Sequence, residues 1–412
     1  MSPPSAAASP LRCWLGFAAF YVAAFGVLGV FMQFFPVWLT EVGGLSEQNV
    51  SLVMAGQTVA RTVAGPLWAH RVDRFGDARR VLVLLSFASV GAIALFGLGH
   101  ALWWSAAVAL VFGSLYSPMY PILDAAAMQT ASTAGFVFSR MRMVGSSSYL
   151  LVLLGAGVVF QSVGSAPIHP VLVAGMVLMA SASLLLPRCG HDATHRAVGT
   201  PGTPVAPVVH EPWWALLRSR QFVVLLAASA LIQGSHATFY NLSTVHWGNH
   251  GIDKGTASLL WAEGIVAEIV MFFVAKQALE RFRPTTILML GGLGAAVRWL
   301  VVGSTTSVPV LLATNWLHAI SFAATYLGTL RALERRVAPA QRATAQGLLG
   351  AATSGIGMVV CGLVGGFVYE RHGAVAFHAM AGFAALGIGL AFALRRMADR
   401  GGEAATTTPS GR

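Results

Sequence analysis

Read only for apolar and polar positions, the chain is a succession of long apolar runs separated by short polar breaks. Six runs, at 14–39, 48–69, 80–99, 102–124, 141–161 and 169–187, are followed after a gap by six more, at 222–247, 257–279, 285–303, 309–331, 344–369 and 374–396. A helix needs about 20 apolar residues to cross a bilayer core, and each run is of that order. The gap, 188–219, carries Arg188, His191, His195, Arg196 and the prolines Pro201, Pro204, Pro207 and Pro212. Such a segment neither spans lipid nor builds a core. It reads as a cytoplasmic linker between a six-helix half at 1–187 and a second at 220–400. Met1 to Pro10 and the tail 401–412 are expected to be disordered, and with no cleavage pattern before it the first run is expected to be retained.

Composition removes the soluble alternatives. Of 412 residues, 56% are hydrophobic and only 10% charged, and the mean hydropathy is +0.69, too little polarity to cover soluble domains. A net charge of +11 would suggest nucleic acid in a soluble protein, but position gives it another meaning. All but six of the 26 Lys and Arg residues lie at the termini or in loops on one side, including Arg71, Arg74, Arg79 and Arg80 after the second run and Arg331, Arg335, Arg336 and Arg342 after the tenth. Basic residues mark cytoplasmic loops. A multi-pass protein of a bacterial cytoplasmic membrane is therefore expected, with both termini inside and no nucleic-acid partner. Cys13, Cys189 and Cys361 are too scattered for a disulfide framework or a zinc site.

Sliding the chain by 207 residues aligns Ser51–Gly76 with Ser258–Arg283 without a gap. Ser51/Ser258, Ala55/Ala262, Val59/Val266, Arg74/Arg281 and Phe75/Phe282 are identical, and Asp73 meets Glu280. Two parallel six-helix repeats around a midplane cavity suit alternating access. The expected fold is thus an all-α membrane protein of twelve transmembrane helices in two bundles around a central cavity. The loop Ala69-His70-Arg71-Val72-Asp73-Arg74-Phe75-Gly76-Asp77-Ala78-Arg79-Arg80 resembles the one between helices 2 and 3 of the major facilitator superfamily. That resemblance implies a cytoplasmic gate motif at Asp73, Arg74 and Gly76. The usual opening glycine is Ala69, and Asp77 replaces a basic residue. Gly76 would permit the turn, and Asp73 is expected beside the N-terminus of the next helix.

An ionisable side chain within a span is costly unless paired, and therefore marks function. Such residues here are Arg61, Asp124, Arg140, Arg142, His236, Glu263, Glu268, Arg298 and His318. The stretch from Tyr116 to Asp124, followed by Arg140-Met141-Arg142, resembles the branch of the superfamily that holds the phenylpropionate and lactose permeases. So do Gln233-Gly234-Ser235-His236, Gly264 to Ile269, Val297-Arg298-Trp299 and Leu317-His318. The resemblance implies that Arg142 binds substrate with Asp124 as its partner, and a helix hairpin brings both to one membrane level, where Arg grips carboxylates or hydroxyl pairs bidentately. Lactose permease has an acidic residue one turn after the tenth-helix histidine, where this chain has Ser321.

Depth supplies a substitute. At ~1.5 Å per residue, Glu268 and His318 lie roughly 16 and 14 Å below the outer face, and Glu263 and Arg298 roughly 8 to 9 Å. Glu268 is therefore expected to carry the proton, neighboured by His318 or His236, with Glu263 and Arg298 as an outer ion pair. Arg61 fills the repeat position of Glu268 and is expected to attract an anionic group. Tyr116, Tyr120 and Tyr240 are candidates for stacking on an aromatic ligand, with His236 beside them. The expected function is a monomeric proton-coupled symporter importing a small organic solute, best matched by an aromatic acid such as 3-phenylpropionate. It uses no cofactor beyond the proton gradient. An oligosaccharide or nucleoside symporter stands as the alternative, ahead of a drug antiporter or a non-transporting sensor. No GxxxxGK[ST] loop and no catalytic cluster such as HExxH is present, so neither an ATP-driven pump nor an enzyme is expected.

Overall fold

The computed structural model describes residues 9–187 and 212–406, with the side chains of 73, 75, 272–280, 340 and 400–406 outside that description. Most of the expected linker, 188–211, and the end of the tail, 407–412, thus lie outside the described residues. Every regular element among the described residues is helical, as lipid requires: a spanning segment must satisfy its backbone groups internally. The helices are α1 (Pro10–Glu41), α2 (Glu47–Phe75), α3 (Ala78–Leu95), α4 (Leu102–Tyr116), α5 (Met119–Ala134), α6 (Phe138–Val163), α7 (Ile168–Ser183), α8 (Arg220–Gly234), α9 (Ala237–Asn249), α10 (Lys254–Glu280), α11 (Pro284–Ser304), α12 (Val308–Asn315), α13 (Thr325–Glu334), α14 (Arg342–Gly350), α15 (Met358–His372) and α16 (Val375–Thr406). Trp213–Arg218 forms a short 3-10 turn inside the stretch read as linker, and α16 runs on to Thr406, past the boundary at 400.

Nine stretches among the described residues are long and apolar enough to cross a membrane, and Ile168–Ser183 is a shorter apolar helix. Adding the more polar α2 and α10 accounts for each of the twelve runs. Four spans are interrupted, each for a local reason. The fourth breaks at Ser117-Pro118, where proline lacks the N–H that the ladder needs. The seventh breaks at Ser235-His236, the tenth passes through a π-helical turn at Ala319–Ala324, and the eleventh through another at Ala351–Gly357. Single π turns inside α-helices cluster at functional sites.

The chain divides into two compact units, each comprising the described parts of its segments. The first takes Met1–Ser46, Gly56–Pro204 and Asp253–Ser258, and the second takes Glu47–Ala55, Val205–Ile252 and Leu259–Arg412. In the first unit, α1 packs on α6 and α7, and Lys254 Nζ lies 3.1 Å from Glu41 Oε2, which also accepts the Ser165 hydroxyl at 2.5 Å. In the second, α16 packs on α8 and α11, and the start of α2 docks on α15. There the Gln48 N–H donates to Glu370 Oε2 (3.2 Å), and Arg371 donates to Gln48 Oε1 (3.1 Å).

Helices in lipid gain nothing from expelling water between them, so they associate by close packing at small residues. In the second unit a Cβ on Gly357 would lie 2.5 Å from Ala230 O, and one on Gly234 2.6 Å from the carbonyl of Gly357. Backbone cannot yield to either atom. Gly357→Val is therefore expected to abolish recovery of monodisperse protein in fluorescence-detected size exclusion. Gly347→Ala, at a position with open space around it, should behave as wild type.

Candidate functional site

The first unit carries one constellation. The loop between α5 and α6 is short, so these antiparallel helices bring Asp124 and Arg142 together, with Arg142 Nε 3.4 Å from Asp124 Oδ1 and both side chains a little over one-third exposed. Two partners from α1 were not foreseen. The Tyr21 hydroxyl donates to the same Asp124 Oδ1 at 2.5 Å, and the Arg142 guanidinium lies over the Phe25 ring, 4.3 Å from its centroid. Arg142 also donates to Ser146 Oγ at 3.4 Å. Tyr120 meets Phe25 edge to face, hydrogen-bonds Tyr116 and donates to Ala24 O at 2.9 Å. Tyr116 itself is buried and stacks on Phe112, so of these two it is Tyr120 that meets Phe25, alongside Tyr21, which stacks on the same ring. The result is a guanidinium tethered at one edge, stacked on one face and surrounded by rings. Arg61 lies half-buried along α2 and Arg140 is exposed at the start of α6.

A second constellation lies in the second unit. His318 Nε2 is 3.6 Å from Glu268 Oε2, and His318 Nδ1 is 3.1 Å from an Arg298 terminal nitrogen. Arg298 is buried. It donates to Asn315 Oδ1 from Nε (3.4 Å) and NH2 (3.3 Å), while Asn315 Nδ2 donates to Leu260 O at 3.0 Å. The guanidinium also lies 4.3 Å from the Phe239 ring centroid and 4.8 Å from that of Trp299. α10, α11 and α12 are thus tied around one buried cation.

This geometry corrects the expected Glu263–Arg298 ion pair. Among the described residues the two do not meet at ion-pair distance: Arg298 turns to Asn315 and His318, and Glu263 hydrogen-bonds Trp316 and attracts Arg298 only at longer range. Equal depth on two helices does not put side chains on facing sides. His236 is likewise not open to a ligand. It is fully buried at the α8–α9 break, where Nδ1 donates to the carbonyls of Ile232 and Gln233 and Nε2 meets Ser321 Oγ, each at 3.2 Å. Ser235 assists: its hydroxyl donates to Ile232 O at 2.7 Å and accepts the Trp299 indole N–H at 2.8 Å. His236 is a splint for the broken turn. Tyr240, half-buried on α9, lies against Trp261 and Phe239.

At the expected gate motif, Gly76 sits at φ +65°, a left-handed conformation that suits glycine, and Arg74 is exposed. The side chain of Asp73 lies outside the described residues. Asp77 is the N-cap of α3, and its carboxylate accepts the Arg80 N–H at 2.9 Å. Arg79, unforeseen, donates to Leu186 O and Leu184 O just past α7, where a helix C-terminus favours a cation.

A family model described as the MFS_1 like family matches residues 14–380. The chain is 27% identical over 371 residues to the "Probable 3-phenylpropionic acid transporter" of Escherichia coli (strain K12), covering 89% of this chain and 94% of that one. It is 27% identical over 363 residues to the maltose permease of Geobacillus stearothermophilus, with 86% and 87% covered. The crystal structure of the nucleoside transporter NupG superposes with a TM-score of 0.78 at 17% identity, over 93% of this chain and 98% of that one.

Proposed function

The chain belongs to the MFS_1 like family, and from that premise we propose that this multi-pass secondary transporter is a proton-coupled symporter importing a small aromatic carboxylate. It is a transporter of a small-molecule substrate and not an enzyme, with the major facilitator fold. The observation that carries the substrate class is Arg142 stacked on Phe25 beside Tyr120 and tethered to Asp124 by Nε. An aromatic acid asks for a guanidinium edge to pair its carboxylate and ring faces to receive its phenyl group, and both lie together here. The name of the Escherichia coli relative favours the same class. An oligosaccharide is the second reading, because Asp124 and Arg142 together can hold vicinal hydroxyls and a maltose permease is also 27% identical.

The proton belongs, in this reading, to Glu268, with His318 and Arg298 positioning it, while Arg61 adds positive potential for an anion. The protein acts as a monomer by alternating access in a bacterial inner membrane, with both termini cytoplasmic, as the distribution of its arginines favours. Labelled 3-phenylpropionate is expected to accumulate in proteoliposomes only under an inward proton gradient. Gradient-driven uptake of maltose in its place would select the second reading, and no gradient-driven uptake of aromatic acids, sugars or nucleosides would overturn symport.

Tyr21 gives a finer test. Tyr21→Phe keeps the ring beside Phe25 but removes the hydroxyl that steadies Asp124. Without that hydroxyl the Asp124 carboxylate leans more fully on Arg142 and competes with a carboxylate substrate; hydrogen bonds to charged groups contribute about 1.5–3 kcal/mol, so a roughly tenfold or greater rise in the KM for uptake is expected. An unchanged KM would remove Tyr21 from the site.

A further inference from the structure

Four arginines converge on the second unit at a place that the transport reading does not use. Arg283, just before α11, Arg335 and Arg336, just after α13, and Arg395, near the end of α16, line a cavity of about 420 Å³. Asp399 is the one carboxylate in its wall and is already engaged, 3.0 Å from Arg283. The wall thus carries a large excess of positive charge. Arg336 is half-buried, and although its terminal nitrogen donates to Ala332 O at 2.9 Å, its Nε–H is buried with no hydrogen-bond partner. Burial, and then the like charge of neighbouring Arg335, holds the Arg336 guanidinium below its ordinary pKa. An anion would relieve both costs.

The backbone favours the same sign of ligand. Gln221, in the first turn of α8, and Thr285, in the first turn of α11, also line the cavity, so two helix N-termini add their positive ends to the four side chains. Planar guanidinium groups match the oxygens of phosphate bidentately. The surroundings have an interfacial character: Trp213 and Trp214 are exposed on the turn leading into α8, Arg218 lies over Trp214 at 4.4 Å, and Phe282 beside Arg283 is 48% exposed. Tryptophans gather at the headgroup level of a bilayer.

We propose that this cavity binds a phosphate ester, either the headgroup of an acidic phospholipid or a soluble organic phosphate. The site is independent of the transported substrate. Because its wall comes from α8, α11, the α13 end and α16, an occupant bridges four elements of the second unit and stabilises their packing by mass action.

The test is thermal unfolding of delipidated, detergent-purified full-length protein. Added at matched ionic strength are phosphatidylglycerol, phosphatidylcholine or glycerol 3-phosphate. Phosphatidylglycerol is expected to raise Tm and phosphatidylcholine is not. Arg335→Gln/Arg336→Gln should need at least about tenfold more phosphatidylglycerol for the same rise, since each lost charge-assisted hydrogen bond weakens binding by about that factor. Arg335→Lys/Arg336→Lys, which keeps the charge, should fall between. Equal protection by glycerol 3-phosphate would assign the site to a soluble phosphate, and none would assign it to the lipid. Absence of protection by either anion, or the same protection in the Gln variant as in wild type, overturns the proposal. Should the Gln variant not fold, native mass spectrometry of the wild type decides: phosphatidylglycerol retained in preference to phosphatidylcholine supports the site, and equal retention overturns it.

Discussion

Glu268→Gln is expected to abolish proton-driven accumulation while leaving substrate exchange across the membrane intact. The argument rests on which atoms face His318. An Arg298 nitrogen lies 3.1 Å from His318 Nδ1, and a guanidinium only donates, so Nδ1 must accept. The neutral ring then carries its hydrogen on Nε2, which faces Glu268 Oε2 at 3.6 Å. A second ring proton would set an N–H against the N–H of a buried cation. His318 is thus held in one neutral form, and the change in protonation falls to Glu268. The neighbouring histidine does not take its place: His236 is committed to Ile232, Gln233 and Ser321. With one proton coupled, a gradient of about one pH unit supports roughly tenfold accumulation. In Glu268→Gln that ratio should fall to unity, with counterflow of labelled substrate still measurable. His318→Gln, which keeps an acceptor for Arg298, should retain coupling. Lost coupling in His318→Gln with intact coupling in Glu268→Gln would move the proton to the histidine.

What could be read in the sequence was set by periodicity and charge. The spans were legible because lipid demands unbroken apolar runs, and Asp124 and Arg142 stood out because lipid tolerates few charges. Their neutral partners did not stand out. Tyr21 and Asn315 look like any polar residue within a span, yet one shares the Asp124 carboxylate and the other holds Arg298. The paired depth of Glu263 and Arg298 misled because depth along a helix says nothing of which side a residue occupies. The break at Ser235-His236 was hidden for a different reason. No proline announces it, and side-chain hydrogen bonds to carbonyls of the preceding turn sustain it. Asp73 drew notice through the repeat, whereas Asp77 caps α3 simply by standing just before it.

Arg142→Ala should remove detectable 3-phenylpropionate uptake, and Arg142→Lys should come close to it, at least about a hundredfold below wild type in kcat/KM. The guanidinium meets several demands at once: Nε toward Asp124, a terminal nitrogen toward Ser146 and a face on Phe25. A lysine ammonium keeps the charge but has neither the planar face nor the fork. Two charge-assisted hydrogen bonds at ~1.5 kcal/mol each account for the factor. Asp124→Asn then separates the two substrate classes. With a carboxylate substrate, removing the Asp124 charge frees Arg142 from a competing anion, so affinity measured by equilibrium binding should hold or rise. With a sugar, the same change removes an acceptor for hydroxyl groups, and affinity should fall. Substantial binding by Arg142→Lys would remove bidentate recognition from either reading, because a single point charge would then suffice.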